Sequence, residues 1–464
     1  MKKKATTEVL ISGISFLSIL LKTKSRLDAR IVVFGCVFLI LFGFYYFYSM
    51  TPLVRSYDTF FDLDQEIQIK RWLLPWDLFS TKLSYHAEFV FRHPGGYYPR
   101  LILQPLASLF DPDLAVAVFL TALSTINLYL VWEISGRLQP DIVPRVVLFL
   151  LTISAGSFLY ANLTLDTFTL SLPLQLAIVN QYLKGPDRAS WRLLLLTAIS
   201  TMITVTNIGL YLVMWIVRLG RQGVRALSAE SFKELILLAV ICVAMVVAHY
   251  LIWLLPLNVD LIDGARRTYW VLADNIKSDM FRYLLTFLVY SGVPPAYDLI
   301  EISSEIFIYD FRSPIYSFLG YLVAMLWMMI LLLGVIFSVA KRDPTGIVGL
   351  LGLLYFIILH YGFHSRGSVF LFVLQLSPFL VLILSCVIRE LASRLWGLML
   401  LSFLAVAMLV VNGLGVYSHV TGDRLADITP STHILSKRLC DRPAPDWNPF
   451  GVFREFELSN CLAK

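Results

Sequence analysis

The feature that most constrains this chain is the recurrence, along nearly its whole length, of apolar runs of about twenty residues. That is the length an α-helix needs to cross roughly 30 Å of hydrocarbon. The runs fall at 31–50, 114–133, 142–160, 163–183, 234–257, 315–340, 345–361, 367–388 and 392–417. A backbone in lipid must satisfy its own polar groups, so each run is read as a helix. Composition agrees: of 464 residues, 58% are hydrophobic and 15% charged, against about 45–50% and about 25% in soluble domains. A disordered chain, a disulfide-rich secreted module and a nucleic-acid-binding domain are excluded, because apolar runs and not basic patches dominate. Channels, transporters, polymerases and lipid-linked transferases all share this composition.

Two further segments are ambiguous. Residues 97–110 are short and contain Pro99 and Pro105, while 191–217 are long with a polar centre, Thr204-Val205-Thr206-Asn207. If the first crosses fully and the second crosses once, Lys184, Arg188 and Arg192 fall outside. If the first is re-entrant and the second is two half-helices meeting at Asn207, all three fall inside, which loop charge favours. Either way the expected fold is an all-α polytopic membrane protein of about eleven transmembrane helices, with short interfacial helices in its outer loops.

Orientation follows from the basic residues. Lys2, Lys3, Lys4, Lys22, Lys24, Arg26 and Arg30 place the N-terminus in the cytoplasm, and the loops with Arg218, Arg221, Arg225 and Lys233, with Lys341 and Arg342, and with Arg389 and Arg394 repeat the pattern. The chain divides into a cytoplasmic segment 1–30, whose apolar stretch 9–21 is too short to span and reads as an interfacial helix, a membrane domain 31–417, and an extracytoplasmic tail 418–464. A compact chain of this kind suits a bacterial inner membrane. Long polar loops at 51–96 and 258–314 face outward, and acids outnumber bases in both. Within the second, 280–290 is amphipathic and reads as a cover for the site or as an interfacial helix packed on the spans.

Cys36, Cys242 and Cys386 lie inside apolar runs and are expected to be small buried hydrophobes. Cys440 and Cys461 lie in the tail, where a disulfide is the expected state, although two free thiols also fit.

The chemistry-bearing residues cluster after the first run. Asp58, Asp62, Asp64 and Glu66 sit among Tyr57, Phe60, Phe61 and Trp72 beside a membrane surface. In a helix, Asp62 and Glu66 would share one face and Asp64 would turn away. Such carboxylates suit a general base, and they equally suit a solvated acidic face with Glu66 paired to Lys70. The loop closes with His93-Pro94-Gly95-Gly96-Tyr97-Tyr98-Pro99-Arg100, a rigid turn at the interface.

Acids just after the first span, followed by a His-Pro-x-x-Tyr-Tyr element, resemble the GT-C glycosyltransferases that use polyprenyl-phosphate sugars, including the protein O-mannosyltransferase and aminoarabinose transferase groups. Further elements are similar to that superfamily: Ser157 to Asp166 as an outer turn in which a Tyr precedes an acid that opens the next helix, Lys184 to Arg192 as a basic inner loop, Thr204 to Asn207 as a polar turn lacking the common Lys, and His364-Ser365-Arg366 ahead of Pro378. The acids here are spaced by one residue instead of paired, and His-Pro-Gly stands where His-Pro-Pro is common.

The resemblance implies a mechanism. A polyprenyl-phosphate-linked sugar lies with its tail between spans, and a carboxylate of the first loop activates the acceptor, which attacks the anomeric carbon with inversion. Asp62 or Asp64 is the expected base, with Glu66 as the second carboxylate. Arg366, His364 and Arg100 are expected at the phosphate, with His93, Tyr97 and Asp166 completing the substrate site; Arg366 suits equally an ordinary interfacial arginine. No metal or other cofactor is required, although a divalent cation at Asp62, Asp64 and Asp166 is compatible with the ligand types. The implied partners are the lipid-linked donor, a lipid, glycan or protein acceptor, and membrane lipids, with no nucleic acid. Two other functions remain open: an O-antigen-like polymerase or ligase, which would place paired Arg-rich loops outside, and a non-enzymatic lipid or solute transporter. No internal repeat and no matching pair of broken spans in the two halves speaks for the latter.

Overall fold

A computed structural model of the protein describes residues 26–49, 95, 98–110, 112–163, 167–186, 189–222, 229–251, 280–296, 298–303, 306–311, 315–363 and 370–421. The described chain is helical apart from one small hairpin. The helices are α1 Arg26–Ser49, α2 Arg100–Leu109, α3 Pro112–Leu138, α4 Ile142–Ile153, α5 Gly156–Leu163, α6 Thr167–Tyr182, α7 Trp191–Ile203, α8 Ile208–Gln222, α9 Ala229–His249, α10 Met280–Leu285, α11 Phe318–Ala340, α12 Pro344–Phe363, α13 Phe370–Val373, α14 Ser377–Leu391 and α15 Leu395–Thr421. Strands β1 Asp298–Ser303 and β2 Ile306–Asp310 pair antiparallel, Asp298 opposite Asp310, in the segment expected to hold only interfacial helices. Among the described residues five helices are long and apolar enough to cross a membrane, or six if α4 and α5 count as one bent span. Helices of this length and hydropathy make the chain an integral membrane protein.

One end of the bundle gathers Arg137, Arg218, Lys341 and Arg389, in ion pairs with Glu133, Glu234, Glu390 and Asp343 respectively. We call it the basic end.

The ambiguous segment 191–217 is a re-entrant hairpin. Ser190 caps α7 by accepting the Leu193 N–H at 3.2 Å, and at the other end Thr204 turns extended, breaking the helix before a 3-10 turn, Val205–Asn207. The side chain of Asn207, fully buried, donates to Ser171 Oγ and Ser200 O, each at 3.0 Å, and accepts from Gln175 Nε2 at 2.7 Å. Returning down α8, Arg218 pairs with Glu234, whose other oxygen accepts the Ala189 N–H at 3.2 Å. Both ends of the segment therefore sit on one side, the second of the two arrangements. With 13 residues, α7 is only about 20 Å long and falls short of a full crossing. The 10-residue α2 is shorter still.

The run at 142–160 is also interrupted, bending by 58° between α4 and α5. The N–H groups of Gly156 and Ser157 lose their helical acceptors at the bend and donate instead to the carbonyls of Gly292 and Ser291, at 2.9 and 2.8 Å. Asn412 Nδ2 donates to the carbonyls of Ser154 and Gly292, each at 2.7 Å. The approach depends on small residues, since a Cβ on Gly156 would overlap Pro294 and one on Gly292 would overlap the Trp327 indole. The amphipathic stretch at 280–290 packs one face on the bundle, as expected of a helix set against the spans: Tyr283, Phe287 and Tyr290 are buried while Met280 and Phe281 are exposed.

Two smaller expectations are corrected. Cys36 is exposed on α1, and the buried Cys386 is no inert hydrophobe, since its thiol donates to Asp343 Oδ2 at 2.9 Å. The final span, Leu395–Tyr417, ends where the sequence places it, while the helix itself continues to Thr421.

Candidate functional site

About halfway along α3, the ends of α1 and α5 that lead into the predicted loops are tied together. The Tyr45 hydroxyl, near the end of α1, donates to the Asn162 carbonyl at 2.8 Å and lies 2.6 Å from Ser124 Oγ on α3. Asn162, on α5, accepts from Asn127 Nδ2 at 2.8 Å and donates to the Phe158 carbonyl at 2.7 Å. In apolar surroundings each of these bonds is favoured by the cost of leaving its donor unpaired. Two residues back, the Tyr160 ring meets Phe311 and Phe370 edge to face, with centroids 5.5 and 5.7 Å away, and Phe311 meets Phe370 at 4.6 Å. Ser157 and Ser377 hydroxyls lie 3.2 Å apart.

Tyr160 also forms the back of a cleft of about 490 Å³ between α11 and α15, lined further by Pro294, Pro295, Tyr316, Asn412 and Gly415. Tyr316, ahead of α11, donates to the Val293 carbonyl at 2.7 Å. Burial pushes its hydroxyl above the usual tyrosine range, and Tyr290 and Tyr321 add to the effect, so it is a neutral phenol. At the rim, Ile315 is 56% exposed and Leu414 62%. Helices of this hydropathy face hydrocarbon, so the cleft opens sideways toward lipid.

The close of the first loop is partly visible. Gly95 is buried against the hairpin tip, where a Cβ would lie 3.0 Å from Ile203 Cδ1, and Tyr98, whose N–H donates to the Gly95 carbonyl at 3.1 Å, lies against His249 at the end of α9.

Of the residues expected at the site, Asp62, Asp64, Glu66, His93, Tyr97, Asp166, His364 and Arg366 lie outside the described residues. So do Asp58, Cys440 and Cys461. Arg100 is the first residue of α2. The described chain instead contributes Tyr45, Asn127, Asn162 and His249, which sequence reasoning passed over. Asn127 and His249 carried a usable signal, as uncharged polar residues inside apolar runs, whereas Asn162 falls between two runs and resembles an ordinary turn residue. Among the described residues no group of three or more His, Cys, Asp or Glu is placed to hold a metal ion. Comparison with known proteins finds no matching family model, no matching curated protein and no matching solved structure.

Proposed function

We propose that the chain is a GT-C-like glycosyltransferase, with about eleven membrane helices, moving a sugar from a polyprenyl-phosphate donor to an acceptor at the end opposite the basic loops. The observation that carries this reading is the convergence of helix ends. The Tyr45–Asn162 bond joins the helix before the acidic loop to the helix before Asp166, and the Tyr160–Phe370 contact joins the latter to the helix after Arg366. Three dispersed polar segments thus start or end around one point, beside a cleft open to lipid.

In this reading Asp62 or Asp64 takes the proton of the acceptor, which attacks the anomeric carbon as the lipid phosphate departs, its charge held by Arg366 with His364 and Arg100. Glu66, His93, Tyr97 and Asp166 position substrate. The basic end faces the cytoplasm, and the membrane is a bacterial inner membrane.

The test is incubation of purified protein with radiolabelled polyprenyl-phosphate sugars. Loss of transfer in Asp62→Asn or Asp64→Asn at unchanged thermal stability supports the reading, whereas full activity in both variants removes the proposed base.

The interrupted helices favour a second reading. Broken spans at α4–α5 and α7–α8 are a device of transporters, whose unwound segments bind solute. A transporter would move labelled lipid or solute across proteoliposomes without sugar transfer.

A further inference from the structure

The cleft between α11 and α15 is a space that the two helices keep open with glycine. Gly320 on α11 and Gly415 on α15 both line it. Among the described residues, a Cβ on Gly415 would have only the Tyr160 hydroxyl within 4 Å, at an ordinary contact distance of 3.7 Å. A side chain at that position would therefore enter the cleft without striking packed atoms.

The lining decides what chemistry can occupy it. None of the residues that line the cleft carries a charge. Its polar side chains spend their hydrogen bonds inside the protein: Tyr316 donates to the Val293 carbonyl at 2.7 Å, Ser317 Oγ accepts the Gly320 N–H at 3.1 Å, and Asn412 Nδ2 donates to the carbonyls of Ser154 and Gly292, each at 2.7 Å. Asn412 Oδ1 has no partner but is itself enclosed, so it offers an occupant nothing. A charged group would lose its water here with no compensating partner. Hydrocarbon would lose nothing.

Access and size narrow the occupant further. Ile315, Leu319 and Leu414, which line the mouth, are apolar and exposed, and α11 and α15 are both long and apolar enough to cross a membrane. The mouth thus meets lipid chains and not water. A cavity of about 150 Å³ takes one benzene ring, so on that scale about 490 Å³ takes about 20 carbon atoms. That matches one acyl chain, whereas a polyprenyl chain is several times larger and would leave most of its length outside.

We propose that the cleft between α11 and α15 is a binding site for one acyl chain of a membrane phospholipid. Bound there, the chain fills the gap between two spans and packs against Tyr160 and against Asn412, which ties α15 to the α4–α5 bend. The site does not depend on the transferase reading.

The experiment uses the full-length protein in detergent and a phosphatidylglycerol with a photoactivatable diazirine in one acyl chain, the cross-linked residues being mapped by mass spectrometry. The expected result is labelling of Leu319 and Leu414 that saturates as the probe is raised, while labelling of Val243, on the exposed face of α9, rises in proportion to it. In Gly415→Leu, whose added side chain fills the cleft, the saturable labelling is lost and that of Val243 persists. Unlabelled phosphatidylglycerol raises the Tm of the delipidated wild type, as a ligand of the folded state must, and leaves that of Gly415→Leu level. Labelling at the cleft that never saturates, or that survives in Gly415→Leu, makes this surface ordinary lipid annulus and overturns the proposal. Should Gly415→Leu fail to fold, saturation in the wild type alone decides between the two. Saturable labelling that polyprenyl monophosphate displaces and phosphatidylglycerol does not overturns the acyl chain as occupant.

Discussion

Tyr45 holds the first span to the fifth helix through one hydroxyl, donating to the Asn162 carbonyl at 2.8 Å while Ser124 Oγ lies 2.6 Å away. This bond spans the two chain segments that lead to the expected base and to Asp166. Tyr45→Phe removes it and leaves a buried carbonyl unpaired, at about 1–3 kcal/mol. We expect a lowered Tm in detergent and a fall in sugar transfer larger than the unfolded fraction accounts for. Transfer equal to wild type would detach the knot from function.

Arg218 and Glu234 form the clamp that brings the two ends of the hairpin together, with Arg218 nearly buried. Arg218→Ala strands a partly buried carboxylate, and removal of one partner from such a pair costs about 3–5 kcal/mol. Arg218→Ala combined with Glu234→Gln restores much of that loss in thermal unfolding, since no lone charge remains.

The hairpin predicts a simple labelling pattern. Gly185 and Gly220 both have open space around them, and they lie at opposite ends of the α7–α8 segment. In right-side-out cells, cysteines at the two positions react with a membrane-impermeant maleimide only after the membrane is opened. Labelling of one and not the other from outside would mean that the segment crosses.

Gly292 lies where a methyl group would overlap Trp327. Gly292→Ala forces that indole or the chain to move, an overpacking cost of about 1–3 kcal/mol, and disturbs the two amide bonds to α5. Loss of Tm and of transfer together is expected.

The membrane class was legible from the apolar runs because twenty apolar residues admit few other structures. The hairpin was legible as one of two alternatives, since Asn207 in the middle of an apolar segment needs partners and loop charge needs both ends inside. The bend at Gly156 was not legible, because the carbonyls of Ser291 and Gly292 that take its amides lie far along the chain, just past the amphipathic stretch. His249 was missed for a similar reason: Tyr98, the ring it lies against, is far away in sequence. The acids that drew most attention lie outside the described residues, so their part of the site rests on the helix ends that flank them.

The pairing of Gly156 and Ser157 with Gly292 and Ser291 also bears on how the chain is made. As α4 and α5 leave the ribosome, their bend holds amide groups whose acceptors have not yet been synthesised, in surroundings without water to stand in for them. The early helices must therefore stay straight, or shielded by the insertion machinery, until the segment after α10 arrives and threads between them. The bend at Gly156 is thus completed only when the carbonyls of Ser291 and Gly292 are in place.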